Sequence, residues 1–287
     1  MKMRIDPLIA ERAPWLHRPG VLSTLFQRPL ERALAYPATI ALAEILRDRS
    51  SREIMDAMAR RLARDVEVSG LQHIPRSGPA IIVANHPTGI ADGIMLHHLI
   101  TRVRNDAYFY ANRDILRVLP QMEDMIAPVE WREEKRSAAS ARETMMFTRD
   151  AVNEGRLGVI FPSGRLAKRR GLQLHERPWM SSAARLAKKF DLPVIPIHVR
   201  ARNSVLFYLF DLLHPTLRDI TLFNETLNKD RQPFRLTVGE PVSPSAIPAD
   251  PDAGIAMLRR AVLEMAVPND SPFTHRRPLG RPAKRLT

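Results

Sequence analysis

The chain of 287 residues contains no cysteine. That excludes disulfides, a thiol nucleophile and cysteine-based zinc sites, and it fits a reducing compartment. There is also no uncharged apolar run of the about 18–20 residues that a transmembrane helix needs. The longest apolar stretch, residues 30–46, is interrupted by Glu31, Arg32, Pro37 and Glu44. Asp6 and Glu11 stand where a secretory signal would have its apolar centre, so no such signal is expected. No internal repeat is present. No helix-turn-helix, zinc-finger or RNP spacing is present either, which makes nucleic acid the weaker partner class.

What is present is a core-forming composition, 45% hydrophobic, with Lys+Arg 44 against Asp+Glu 31 and a formal net charge of +13. Such a charge seeks a polyanion, and an anionic membrane surface is the expected partner. The segment 269–287 reads as a disordered basic tail, and from Ser271 on it carries Arg276, Arg277, Arg281, Lys284 and Arg285 without an acid. These five residues do not account for the whole charge, so the body is basic as well. Residues 1–64 read as a helical, membrane-associating extension and 65–268 as one α/β domain. Trp15 and Phe26 in the extension are expected in the core. Met55, Met58, Leu62 and Val66 set an amphipathic helix over 51–66.

The chain is organised around residues 81–95, IIVANHPTGIADGIM. A β-branched run predicts a buried strand. It ends at Asn85, His86 and Pro87, and a turn containing Gly89 leads into a helix that opens near Asp92, with Ile94, Met95, Leu96 and Leu99 on its apolar side. Strand, polar turn and helix present side chains at the C-terminal edge of a sheet. Five residues separate His86 from Asp92, a span that lets the carboxylate return onto the imidazole. The carboxylate would fix the tautomer and leave the other ring nitrogen free to take a proton. The plainer alternative is a structural His–Asp pair or a helix cap.

The sequence NHPTGIADG resembles the histidine–aspartate signature of the PlsC-type glycerolipid acyltransferase superfamily, in the five-residue spacing of its haemolysin-like branch. The lead-in from Gly70, GLQHIPRSGPAIIVANHP, resembles the approach to that block. A second block falls on Pro128-Val129-Glu130-Trp131-Arg132, and Arg132 is its acceptor-side arginine. The third block resembles Phe161-Pro162-Ser163-Gly164-Arg165, with Ser163 where the common pattern has glutamate. The fourth is the apolar strand 192–199. Other expected elements are strands at 107–111, 125–129, 157–161 and 234–238, and helices at 114–118, 137–154, 180–190, 221–229 and 252–265. The buried stripe of the 137–154 helix would be Ala138, Ala141, Met145, Thr148 and Val152. Residues 166–179 read as a basic loop. The segment 203–213 reads either as a core helix or as a face that dips into a bilayer.

The resemblance implies an α/β fold with a central mixed sheet flanked by helices, as in glycerol-3-phosphate acyltransferase. It implies transfer of a fatty acyl group from acyl-CoA or acyl-carrier protein to a lysolipid hydroxyl. The acceptor would be 1-acylglycerol-3-phosphate or a lyso-ornithine-type lipid, at the cytoplasmic membrane. His86 and Asp92 would be catalytic. Asn85, Gly89, Arg132, Phe161, Pro162, Ser163, Gly164 and Arg165 would bind substrate, with no metal and no cofactor beyond the acyl donor. The alternative from another class is a non-catalytic lipid-binding adaptor with the same fold. A serine hydrolase is disfavoured, because Phe161 and Arg165 occupy the glycine positions of a nucleophile elbow around Ser163.

Overall fold

The structure is a computed structural model that describes residues 1–12, 36–62, 65–130, 136–170, 173–213, 225 and 233–266. The expectations at Trp15, Phe26, Arg132, the 221–229 helix and the 269–287 tail lie outside the described residues.

Three helices come first: α1 (Lys2–Arg12), α2 (Tyr36–Leu46) and α3 (Ser51–Leu62). Pro37 was expected to interrupt its stretch. It sits instead in the first turn of α2, where its missing N–H would have no helical partner anyway. At the start of α3, Ser50 N donates to Glu53 Oε2 at 2.9 Å. Ile54, Met55, Met58 and Leu62 of that helix are buried.

The domain then runs β1 (Val66–Ser69), β2 (Ala80–Ala84), α4 (Ile90–Ile100), β3 (Ala107–Asn112), α5 (Asp114–Val118), β4 (Ile126–Val129), α6 (Ala138–Asn153) and β5 (Leu157–Ile160). It continues with β6 (Lys168–Arg170), β7 (Gln173–His175), α7 (Ser182–Lys189), β8 (Val194–Arg200), α8 (Val205–Leu213), β9 (Phe234–Val238) and α9 (Pro251–Leu263).

Seven strands form one sheet in the order β1-β9-β8-β2-β5-β3-β4. The strands β8, β2, β5, β3 and β4 are parallel, so their C-terminal ends share one edge. β9 runs antiparallel to β8, and β1 runs parallel to β9. The sheet is therefore mixed and mostly parallel, with helices on both faces. β2 lies in the middle, Ile82 sitting opposite Val159 on one side and Ile195 on the other.

Every residue of β2 is buried, as expected for a parallel strand covered on both faces. Ala80, Ile82 and Ala84 pack in the core shared with α1, α2, α3 and α4. Ile81 and Val83 pack in the opposite core, built from α7 and α9. Each such isoleucine contributes about 1.5–3 kcal/mol relative to leaving it in water. The strand carrying the central motif is thus fixed from both sides.

Two local expectations are corrected. Ala138 and Ala141 are exposed, while Thr148 and Ala151 are buried. From Thr144 onward α6 covers the sheet: Thr144 Oγ1 donates to Pro128 O of β4, and Thr148 Oγ1 meets Tyr110 Oη at 2.9 Å. The first turn lies off the sheet, and alanine tolerates that exposure. Residues 166–179 are not a plain loop: β6 and β7 pair as an antiparallel hairpin, Arg169 opposite Leu174. Strands of three residues, with Leu174 as their one apolar side chain, carry too little alternation to read as strands.

α8 divides its apolar side chains. Phe207 and Tyr208 are buried, whereas Val205 is 82% exposed and Leu209 50%. Ser204 precedes it and is held by Glu225, whose Oε2 accepts Ser204 N at 2.7 Å. Among the described residues no helix is long and apolar enough to cross a membrane.

Candidate active site

β2 delivers Asn85 and His86 to the edge where the parallel strands end. The turn that follows is shaped by one carboxylate. Asp92 is fully buried, and its Oδ2 accepts the backbone N–H groups of Thr88 at 2.8 Å and Gly89 at 2.9 Å. Thr88 Oγ1 donates to the other oxygen, Oδ1. Asp92 is the third residue of α4, so it also stands where the positive end of the helix dipole favours an anion. Gly89 has φ 91°, in the region that disfavours any residue with a Cβ. The turn can therefore close only with glycine there.

The same carboxylate oxygen lies 3.0 Å from His86 Nδ1. The approach is oblique, and Nδ1 makes no straight hydrogen bond. The imidazole stacks on Phe161, with ring centroids 4.1 Å apart and planes at 23°. Its side chain is 18% exposed while that of Asp92 is closed off from solvent. A ring with one nitrogen against a buried carboxylate and its edge open to solvent can accept a proton from an incoming hydroxyl.

Phe161 follows β5 directly and leads into a tight turn in which Gly164 N donates to Phe161 O at 2.9 Å. Gly164 has φ 59°, and a Cβ there would stand 3.0 Å from Met180 Cε. Pro162 O accepts Met180 N at 2.9 Å. Ser163 is buried and donates from Oγ to Arg165 O at 2.8 Å. Its hydroxyl is committed to shaping the turn. Arg165 is exposed on the rim and has no ion-pair partner among the described residues.

Asn85, expected on the substrate side, has both polar groups engaged by β8. Its Nδ2 donates to Val199 O at 2.8 Å, and its Oδ1 accepts Val199 N at 2.7 Å. Gly89 contributes its N–H to Asp92. The structure thus brings together His86, Asp92, Phe161 and the Ser163 turn, with Asn85 and Gly89 holding their backbone.

Sequence reasoning missed several neighbours. Glu176, just past β7, reaches back: its Oε2 accepts His86 N at 3.3 Å and its Oε1 accepts Trp179 Nε1 at 3.0 Å. Burial pushes the Glu176 carboxyl above the usual range, partly opposed by the hydrogen bonds from Trp179 Nε1 and His86 N–H. Ala167, just before β6, donates its N–H to His86 O at 2.9 Å. On α8, Tyr208 Oη accepts Asn203 N at 3.1 Å, and the Arg169 guanidinium lies 5.6 Å from the centre of its ring. Burial pushes the Tyr208 hydroxyl up to about 12, and Asp92 is among the charges that add to the shift. The only sequence signal for this shell was a glutamate three residues before a tryptophan.

Residues 65–200 match the model of the Acyltransferase family. Over 196 residues, 66% of this chain and 68% of the relative, the sequence is 24% identical to the lyso-glycine lipid O-acyltransferase of Phocaeicola vulgatus. The lyso-glycine lipid O-acyltransferase of Bacteroides thetaiotaomicron is 22% identical over 202 residues, 68% of this chain and 72% of that protein. The crystal structure of the 1-acyl-sn-glycerophosphate acyltransferase PlsC from Thermotoga maritima aligns over 92% of this chain and 97% of its own, at 16% identity and a TM-score of 0.45.

Proposed function

We propose that the protein transfers a fatty acyl group from a thioester donor to the free hydroxyl of a lysolipid, a reading supported by the match of residues 65–200 to the Acyltransferase family model. One observation carries the reading: His86 Nδ1 sits 3.0 Å from a carboxylate that is itself buried and held by two backbone N–H groups. A thioester is already activated, so no covalent enzyme intermediate is needed. His86 Nε2 takes the acceptor's proton as its oxygen attacks the thioester carbonyl. Asp92 orients the ring and balances the imidazolium. The imidazolium then returns the proton to the departing thiolate. The N–H groups of Thr88, Gly89 and His86 are each taken by a carboxylate. The oxyanion of the intermediate must therefore find its donor elsewhere along the edge.

For the acceptor, the reading favours a lysolipid whose head carries a carboxylate, of the glycine or ornithine kind, over 1-acylglycerol-3-phosphate. The names of the two relatives support this class, and the exposed guanidinium of Arg165 suits either anion. The donor is acyl-CoA or acyl-carrier protein. The enzyme would work from the cytoplasmic face as a peripheral protein, its +13 charge attracting anionic lipid.

The test is thiol release by the purified full chain from each donor, across a panel of lysolipids. Release is expected to require one lysolipid class and to persist in excess chelator. In His86→Ala it should fall by about 10²–10⁴-fold, the usual worth of a general base. A His86→Ala enzyme within threefold of the parent would remove the assignment. Lysolipid binding without turnover by the parent would favour the non-catalytic adaptor.

A further inference from the structure

The hairpin that links the Ser163 turn to α7 closes on a single residue. Ala167, on its entering side, donates its N–H to His86 O at 2.9 Å. Glu176, on its leaving side, accepts His86 N–H at 3.3 Å. Both polar groups of the His86 peptide backbone are therefore engaged from the two ends of one hairpin. The Glu176 side chain is braced by Trp179 Nε1 at 3.0 Å, and its carbonyl accepts Arg259 Nη2 at 3.5 Å.

We propose that Glu176 is a positioning residue for His86: its carboxyl group ties the backbone of the base to Trp179 and to the hairpin, so that the ring stays registered between Asp92 and Phe161. This rests on the reading of His86 as the general base. The chain thus carries two carboxylates for one histidine, Asp92 on the ring and Glu176 on the main chain. The role follows from geometry. A stacked ring 4.1 Å from Phe161 and 3.0 Å from Asp92 keeps both contacts only while its Cα stays in place. The upward shift of the Glu176 carboxyl, caused mainly by burial, fits a group that holds rather than one that meets solvent.

The experiment compares the parent, His86→Ala, Glu176→Ala and the double variant Glu176→Gln/Trp179→Phe. The glutamine keeps one acceptor oxygen for His86 N–H, and the phenylalanine removes an indole N–H that an amide could not answer. Steady-state thiol release gives kcat and KM. Carbethoxylation of each histidine, read by peptide mass spectrometry, reports ring freedom without any turnover. Glu176→Ala should lose about 10–100-fold in kcat, the scale of a small misplacement of a catalytic group. Its KM values should stay within about threefold, and its His86 should react several-fold faster while the other histidines keep their parental rates. The double variant should restore parental kcat to within about threefold and the parental His86 rate. Parental kcat and parental His86 reactivity in Glu176→Ala would overturn the proposal, as would equal impairment of the double variant. If Glu176→Ala is unfolded, all histidines react and the double variant decides. If the parent transfers no acyl group, the functional reading fails, and the His86 reactivity still tests the positioning.

Discussion

Asn85 and Val199 exchange two hydrogen bonds across 114 residues of chain, at 2.8 and 2.7 Å. The side-chain amide behaves as an extra peptide unit at the end of β2, so the residue before His86 is fastened to β8. Asn85→Ala leaves a buried N–H and a buried C=O of Val199 without partners. It should cost about 2–4 kcal/mol, since each unsatisfied group costs about 1–3 kcal/mol. Asn85→Asp should be at least as costly, because a carboxylate cannot donate to Val199 O. Urea unfolding of the three proteins checks this, and an Asn85→Ala protein as stable as the parent would contradict it.

Arg104 is the corresponding fastening at the opposite end of the sheet. Its guanidinium is buried and reaches Gly78 O at 2.9 Å, Gly155 O at 2.6 Å, Pro75 O at 3.2 Å and the Asp106 carboxylate at 2.6 and 2.7 Å. These carbonyls belong to the loops that enter β2 and β5. Arg104→Ala should destabilise by about 1.5–3 kcal/mol, the scale of hydrogen bonds made by a charged group. Arg104→Lys should recover little, because a point ammonium cannot span the same acceptors. A thermal melt within two degrees of the parent for either variant would be inconsistent with this role.

His97 makes stability sensitive to acid. Its side chain is buried in α4, Nδ1 makes no hydrogen bond, and the nearest carboxylate oxygen, on Asp56, is 4.0 Å away. Burial is the largest cause holding its pKa below the ordinary value, with Asp56 opposing. The unfolded chain therefore takes up this proton first as pH falls. The contribution to stability is complete above the unfolded value of about 6.5 and is lost as pH drops through it toward the folded value. His98 is shifted the same way, again mainly by burial. Unfolding free energies at several pH values should fall less steeply below neutrality in His97→Leu than in the parent. Identical slopes would mean that His97 does not titrate on unfolding.

The proposed acceptor contact at Arg165 offers a way to separate binding from chemistry. It is exposed at the rim and follows the turn that Gly164 permits. Arg165→Ala should raise the KM for an anionic lysolipid about tenfold and leave kcat within about threefold, the signature of a lost binding contact. A lysolipid with no net charge should show a much smaller change. Equal loss for both acceptors would place Arg165 elsewhere in the reaction.

The parts of the site that could be read from sequence are the local ones. His86, Gly89 and Asp92 span seven residues, and a strand followed by a helix leaves few ways to join them. The buried run of β2 and the stripe of α3 were legible because periodicity reports which face is covered. What escaped depended on distant partners. Asn85 read as a substrate contact through the resemblance of its motif, and Val199, which takes its amide, is far along the chain. Glu176 was one more residue of a charged segment until the hairpin folded back over 90 positions to His86. The exposure of Ala138 and Ala141 follows from where the sheet ends, which the periodicity of α6 does not encode.

The reversal between β8 and β9 also sets an order of assembly. Among the described residues the first strand of the domain, β1, pairs only with β9, where Val66 faces Phe234, and β9 in turn covers the edge of β8. A chain emerging from the ribosome can build the five parallel strands while β1 has no neighbour and one side of β8 stands open. Open strand edges are templates for association with other chains. A fragment cut at residue 200, although it contains the whole matched segment, would keep that edge bare permanently. The domain becomes self-contained only when the strand at 234–238 arrives.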